Sequence, residues 1–150
     1  ENFDELMSFR RKCKVKRIKF FVANDIKLAS LLKSDGIYIS SSNKSFRPLY
    51  LNKSLFTLIG SAHNSKEIHL KIKQGCKFIF VSKLFKVDYD PTAKFMGVVK
   101  FNSLLHSNKT IIPLGGIKSS NLNKLRLIKS TGIVIMSEIK KKPTISSRLF

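Results

Sequence analysis

Two apolar rhythms alternate along this chain, and their alternation constrains the fold more than any other feature. Short runs rich in Ile, Val and Phe recur between longer stretches whose apolar residues fall three or four apart. The first rhythm belongs to buried strands and the second to amphipathic helices. Phe3, Leu6, Met7 and Phe9 predict a helix over residues 2–13. Residues 18–23 (IKFFVA) predict a strand, 25–33 a helix and 36–39 a second strand. Residues 43–54, with Pro48, predict a loop. Further strands are predicted at 56–59, 77–81, 110–114 and 132–136, and helices at 64–74, 95–105 and 119–129. Residues 83–95 predict a loop, with Asp88, Asp90 and Pro91 breaking regularity. Asn64 suits a helix N-cap and Gly75 suits a helix stop.

Strands that alternate with helices form parallel βα units, so the class is α/β. Six strands this apolar need cover on both faces. A (β/α) barrel or a doubly wound sheet supplies it, and spacing alone does not choose. The length of 150 residues predicts one domain spanning 1–150. A complete eight-stranded barrel takes roughly 200–250 residues. A barrel reading is therefore an incomplete one, of about six βα units. The sequence opens on Glu1 instead of Met and reads as processed or partial. The closing residues 140–150 (KKKPTISSRLF) read as a flexible basic tail.

The formal net charge is +20. Such a balance raises nucleic acid and anionic membranes as partners. Two features favour compositional bias. Lys outnumbers Arg nearly four to one, and the basic residues are dispersed along the chain. An aromatic–basic RNA motif is missing, so no specific nucleic-acid partner is expected. No apolar run approaches the ~18–20 residues of a membrane span, and the opening lacks a signal-peptide core. Cys13 and Cys76 form no CxxC motif, and His63, His69 and His106 show no zinc spacing with them. Free thiols of a reducing cytoplasm are the expectation. A homo-oligomer is left open.

In either parallel architecture, function gathers at the carboxyl ends of the strands. Those ends carry Asn24-Asp25, Ser40 to Asn43, Gly60 to His63, Ser82-Lys83, Gly115-Gly116 and Ser137. Glycines let backbone amides approach a phosphate closely. Gly115 and Gly116 before a helix, with Ser137 after the next strand, predict a phosphate cradle. The alternative is a plain βα turn. Asp25 is the strongest candidate Mg²⁺ ligand, but on its residues alone a helix N-cap is the preferred reading. His63 has no carboxylate partner in sequence and is not nominated as a general base.

Four segments resemble one family. FFVANDIKLASLLKSDGIYIS resembles the thiamine-phosphate synthase pattern of a strand ending in Asn-Asp, a helix and a Ser-Asp-Gly strand opening. IGSAHNSKEIHLKIKQGCKFIFVS is similar to its Ile-Gly-Ser-x-His segment, IIPLGGIKSSNL to its Gly-Gly-Ile…Asn turn, and TGIVIMSEIKKKP to its closing Ser-x-Ile…Pro. The resemblance covers roughly residues 18–143 in order. It implies a TIM-type barrel enzyme of thiamine biosynthesis. That family joins hydroxymethylpyrimidine diphosphate to thiazole phosphate and releases pyrophosphate with Mg²⁺. It implies catalytic roles for Asn24 and Ser61, phosphate or substrate contacts for Gly115, Gly116, Ser137 and Asn43, and Mg²⁺ binding by Asp25. The alternatives are the thiazole tautomerase (TenI-like) branch and a non-catalytic phosphate-ligand binder. The expected partners are small phosphorylated molecules, and the expected compartment is the cytoplasm.

The chain departs from that pattern at definite places. Ser40-Ser41-Ser42-Asn43 stands for Gly-Gln-x-Asp, so a second metal carboxylate becomes a neutral amide. Asp90 stands where a diphosphate-binding Lys is expected, leaving Lys83, Lys86 and Lys94 as substitutes. The family's first two strands have no counterpart.

Overall fold

A computed structural model describes residues 2–50, 56–90, 92–108 and 110–136. Ser137, the tail over 140–150, Pro91 and part of the loop before β3 lie outside the described residues. The chain divides into two compact units. The first comprises residues 1–61 and 65–77, the second residues 62–64 and 78–150.

The first unit opens with α1 (Phe3–Val15). Asn2 caps it by accepting the Asp4 N–H at 3.2 Å. Asp4 and Glu5 occupy its first turn and Lys12 and Lys14 its last, as the helix dipole favours. Strand β1 (Phe21–Ala23), helix α2 (Ile26–Leu31), strand β2 (Gly36–Ile39) and strand β3 (Thr57–Ala62) follow. β1 pairs parallel with β2, Phe21 opposite Gly36, and β2 pairs parallel with β3, Gly36 opposite Thr57. Helix α3 (Ser65–Lys73) ends the unit at Gly75, whose φ of +78° a side chain would strain. Val22, Ile37, Ile39, Leu58 and Ile59 fill the core against Ala29 and Leu32 of the α2 segment. One polar knot ties the α1 segment to the strand openings. Asp35 accepts the Phe20 N–H at 2.9 Å and pairs with Arg10 at 3.1 Å and Lys19 at 3.2 Å.

β3 runs three residues past its predicted end because Gly60, Ser61 and Ala62 are small enough to stay buried. A Cβ on Gly60 would come within 2.9 Å of both Lys71 Cδ and Cys76 Sγ. The loop predicted over 43–54 contains a 3₁₀ turn, Arg47–Tyr50.

The second unit contains β4 (Phe78–Val81), α4 (Gly97–Ser107), β5 (Ile111–Pro113) and α5 (Leu122–Leu125). β4 and β5 are parallel, Ile79 opposite Ile111. Ile79, Val81, Leu84, Phe101 and Ile111 are its buried centre. Ser82 N–H donates to the Ala62 carbonyl at 3.1 Å, so the end of β3 meets the end of β4 inside this unit.

Two expectations fail here. The helix predicted over 119–129 shrinks to a 3₁₀ turn, Ser119–Asn121, and the single helical turn of α5. Asn102 of α4 takes over the backbone that would have continued it. Its amide donates to Leu127 O at 2.7 Å, and its Oδ1 accepts the Lys129 N–H at 3.2 Å. The strand predicted over 132–136 reduces to one bridge, Leu114 to Val134, whose N–H donates to Pro113 O at 3.0 Å. Within the described residues it has a β partner on one side only. The α/β reading, with parallel strands alternating with helices, holds in both units.

Candidate functional site

In the first unit, the ends of β1 and β2 build a polar hollow of about 380 Å³ lined by Asn24, Asp25, Asn43, Lys27 and Arg47. Asn24 sits at φ +58°, a left-handed conformation that Asn tolerates. Its Oδ1 accepts the Ser40 N–H at 3.0 Å and the Asn43 amide at 3.0 Å, and its own amide donates to Ser40 Oγ at 3.1 Å. Ser40 and Ser42 hydroxyls are 3.1 Å apart. Asn43 Oδ1 accepts the Ser45 N–H at 2.9 Å. Asp25 is the N-cap of α2, its Oδ1 accepting the Leu28 N–H at 2.9 Å. Three predicted site residues, Asn24, Asp25 and Asn43, therefore come together. Ser61 does not join them. It is buried within β3, 6% exposed, and lines neither this hollow nor those of the second unit named below.

In the second unit, Gly115 and Gly116 follow β5 at φ +91° and +71°. They line a hollow of about 420 Å³ with His63, Ser82, Ile135 and Met136. Ser137, next in sequence, lies outside the described residues. Among the described residues, no acceptor takes the N–H of Gly115 or Gly116. Gly116 is also fixed by space, since a Cβ there would meet the Lys86 oxygen at 2.6 Å. Asn121 braces the turn from behind. Its amide donates to Gly116 O at 2.7 Å, and its Oδ1 accepts the Lys118 N–H at 2.9 Å. Lys118 in turn pairs with Asp88.

His63 Nδ1 and Ser82 Oγ lie 2.8 Å apart and border this hollow and a neighbouring one of about 450 Å³. The second hollow carries Lys83, Lys94 and Lys100. Lys86 does not line it. Lys83 is held by Asp90 at 3.1 Å and lies 5.4 Å from the centre of the Tyr89 ring. Hydrogen bonds from Lys83 and Thr92 keep the Asp90 carboxyl below its ordinary pKa. So Asp90, which replaces an expected lysine, neutralises one of that lysine's substitutes.

Sequence reasoning noted Ser82 only as a strand-end residue and missed its pairing with His63. Asn121 lies within the segment IIPLGGIKSSNL, and nothing in the sequence assigns it a role. Spacing carries no signal for the Ser82–His63 pair, which depends on where two strand ends meet, whereas the contacts of Asn121 lie within its own turn, three and five residues away.

Among the described residues, no group of three or more His, Cys, Asp or Glu could hold a metal ion, and no helix is long and apolar enough to cross a membrane.

A sequence profile for a family described as thiamine monophosphate synthase matches residues 1–139. A thiamine-phosphate synthase from Methanococcus vannielii is 23% identical over 121 residues, covering 80% of this chain and 59% of the relative. One from Prochlorococcus marinus subsp. pastoris is 24% identical, over 91% of this chain and 40% of the relative. One from Helicobacter pylori strain Shi470 is 27% identical, over 87% of this chain and 60% of the relative. The chain thus spans between 40% and 60% of these relatives' lengths. A solved thiamine phosphate pyrophosphorylase from Pyrococcus furiosus superposes with a TM-score of 0.77 at 16% identity, covering 98% of this chain and 73% of that one. At that identity the likeness is one of fold.

Proposed function

Because this chain belongs to the thiamine monophosphate synthase family, we propose that it serves thiamine biosynthesis through the phosphorylated substrates which its resemblance implies. In this reading, hydroxymethylpyrimidine diphosphate and thiazole phosphate are joined and pyrophosphate is released. The observation that carries it is the Gly115-Gly116 turn. Its two amides have no acceptor among the described residues and the turn lines a hollow with His63 and Ser82, and such donors suit the oxygens of one phosphate group. The Lys83, Lys94 and Lys100 hollow beside it suits the negative charge of a diphosphate. Asn24 and Asn43 offer polar contacts in the first unit, and no contact is assigned to Ser61. Catalysis of this type works by positioning and by stabilising the charge on a leaving group.

The residues around Asp25 do not fit the Mg²⁺ that the resemblance implies. A small hard cation asks for about six oxygens in near-octahedral array. Here one carboxylate oxygen caps a helix, Asn24 Oδ1 already accepts two hydrogen bonds, and Asn43 Oδ1 accepts one. Lys27 and Arg47 line the same hollow and repel a cation. No step of the proposal passes through a metal at this place.

A second reading, the tautomerase-like branch, is favoured by His63. Its ring nitrogen is hydrogen-bonded to Ser82 at the rim of the glycine hollow, which suits moving a proton on a bound thiazole.

Thermal unfolding of the full chain with each substrate tests the proposal. Thiazole phosphate is expected to raise the Tm in a saturable way, and Gly116→Asp is expected to abolish the rise. If neither phosphorylated substrate shifts the Tm, the proposal fails. Pyrophosphate release on adding both substrates favours the synthase reading. Proton exchange on the thiazole alone favours the tautomerase reading.

A further inference from the structure

Two of the largest fully buried side chains among the described residues are polar, and they lie together. Lys71 and Gln74, both 0% exposed, stand one turn apart at the end of the α3 segment. Lys71 Nζ donates to the backbone carbonyl of Asn43 at 2.8 Å and to Gln74 Oε1 at 2.9 Å. Gln74 Nε2 donates to Asn43 O at 3.0 Å and to Ser45 O at 2.8 Å. Four hydrogen bonds thus join an ammonium and an amide, and three of them end on the carbonyls of one short loop. That loop follows β2 and carries the Asn43 side chain to Asn24.

Burying a lysine costs several kcal/mol unless its donors are satisfied. Here both acceptors of Nζ are neutral oxygens. The fold makes room for it, since the position of a Gly60 Cβ lies within 2.9 Å of the Lys71 side chain. Hydrophobic packing would have been met by an apolar residue at position 71. A cation placed under a surface loop, with its hydrogen bonds spent on that loop's carbonyls, does what a bound metal ion does elsewhere: it gathers oxygen dipoles at one point.

We propose that the Asn43 loop is organised by the tethered ammonium of Lys71, with Gln74, in place of a divalent cation. Lys71 is a positioning residue. Fully buried beneath the loop, it acts through Asn43, whose carbonyl it holds. The carbonyls it gathers, those of Asn43 and with Gln74 that of Ser45, are thereby taken up inside the fold. The inference does not depend on which phosphorylated substrates the chain takes, and its test uses none of them.

The test is amide hydrogen exchange of the full chain. Asn43 N–H donates to Ser40 O at 3.1 Å and Ser45 N–H to Asn43 Oδ1 at 2.9 Å, so both report the loop. In the unaltered chain their exchange is expected to be equal in EDTA and in Mg²⁺. Lys71→Met is expected to speed both by about tenfold or more, which is roughly 1.4 kcal/mol of local stability. Ile37 and Ile39 of β2 should stay protected, and Mg²⁺ should restore nothing. Lys71→Arg, which keeps the charge, should retain most of the protection. Equal loss in the Met and Arg variants, no loss in the Met variant, or faster exchange on adding EDTA to the unaltered chain overturns the proposal. If Lys71→Met does not fold, Gln74→Leu is read instead: faster Ser45 exchange supports the proposal and unchanged exchange sinks it. Mn²⁺ alone serves as the metal probe. Its paramagnetic resonance spectrum should remain that of the free ion. A bound signal that Asp25→Asn removes overturns the account.

Discussion

Gly116 lies flat against the peptide joining Phe85 and Lys86, so close that a side-chain carbon at position 116 would overlap the Phe85 carbonyl. Two constraints coincide there, the missing space and a φ of +71°. Gly116→Ala is therefore expected to cost about 1–3 kcal/mol in chemical unfolding. It should also weaken thiazole phosphate binding, because the turn must move to admit the methyl group. Gly132→Ala is the control. A Cβ at Gly132 meets nothing within 4 Å, and its stability change should stay within about 0.5 kcal/mol.

Lys83 is held between Asp90 and the Tyr89 ring, beside a hollow with Lys94 and Lys100. Removing the Asp90 charge frees Lys83 for an anion. Asp90→Asn is expected to tighten binding of inorganic pyrophosphate by about threefold at low ionic strength, and the gain should shrink as salt rises. Isothermal titration at two salt concentrations checks this. Unchanged or weaker binding in the variant would show that Lys83 does not serve the anion.

The Asp35 knot makes the first unit acid-sensitive. Partial burial pushes the Asp35 carboxyl upward, but the Phe20 amide, Lys19 and Arg10 outweigh it and hold the pKa below the ordinary value. A lowered carboxylate pKa contributes stability that is fully present above the unfolded value, about 3.9. That contribution is lost as pH falls through the lower folded value. Asp35→Asn is expected to destabilise the chain by about 1–2 kcal/mol at pH 7. It should also flatten the acid limb of a stability-against-pH curve. An unchanged acid limb would assign acid unfolding to other carboxylates.

Cys76 is buried beside Lys71, and burial pushes its thiol up to about 11 in spite of the lysine. Cys13 is buried as well. Neither thiol should react appreciably with an aromatic disulfide reagent at pH 7.5 in the folded chain, and both should react on denaturation. Rapid labelling of Cys76 in the native state would show that the α3 segment opens more readily than its packing implies.

The fold was legible where a residue's local surroundings decide its conformation. Val22, Ile37, Ile79 and Ile111 lie in apolar runs and are buried on strands. The glycine doublet is legible as a turn after a strand, and Gly115 and Gly116 do take positive φ and line a hollow. What escaped depends on distant partners. Asn102 stops the helix after Leu125 from another element. Of the strand expected over 132–136, the described residues show the single bridge of Val134 to Leu114. Asp25 is ambiguous in sequence, since metal ligand and N-cap use the same residue type at the same place. The hydrogen bond to Leu28 resolves its resting role as the cap. Lys71 looks like one more surface lysine in a chain of +20, and its burial emerges only when the fold brings the Asn43 loop over it.

The proposed function requires the Gly115 and Gly116 amides to donate to one phosphate group, and nitrogen-resolved NMR during a thiazole phosphate titration reads them directly. Both amide protons should move downfield together and saturate with the same Kd, with His63 and Ser82 signals following. Binding that leaves both glycine amides unmoved while signals elsewhere shift would contradict it.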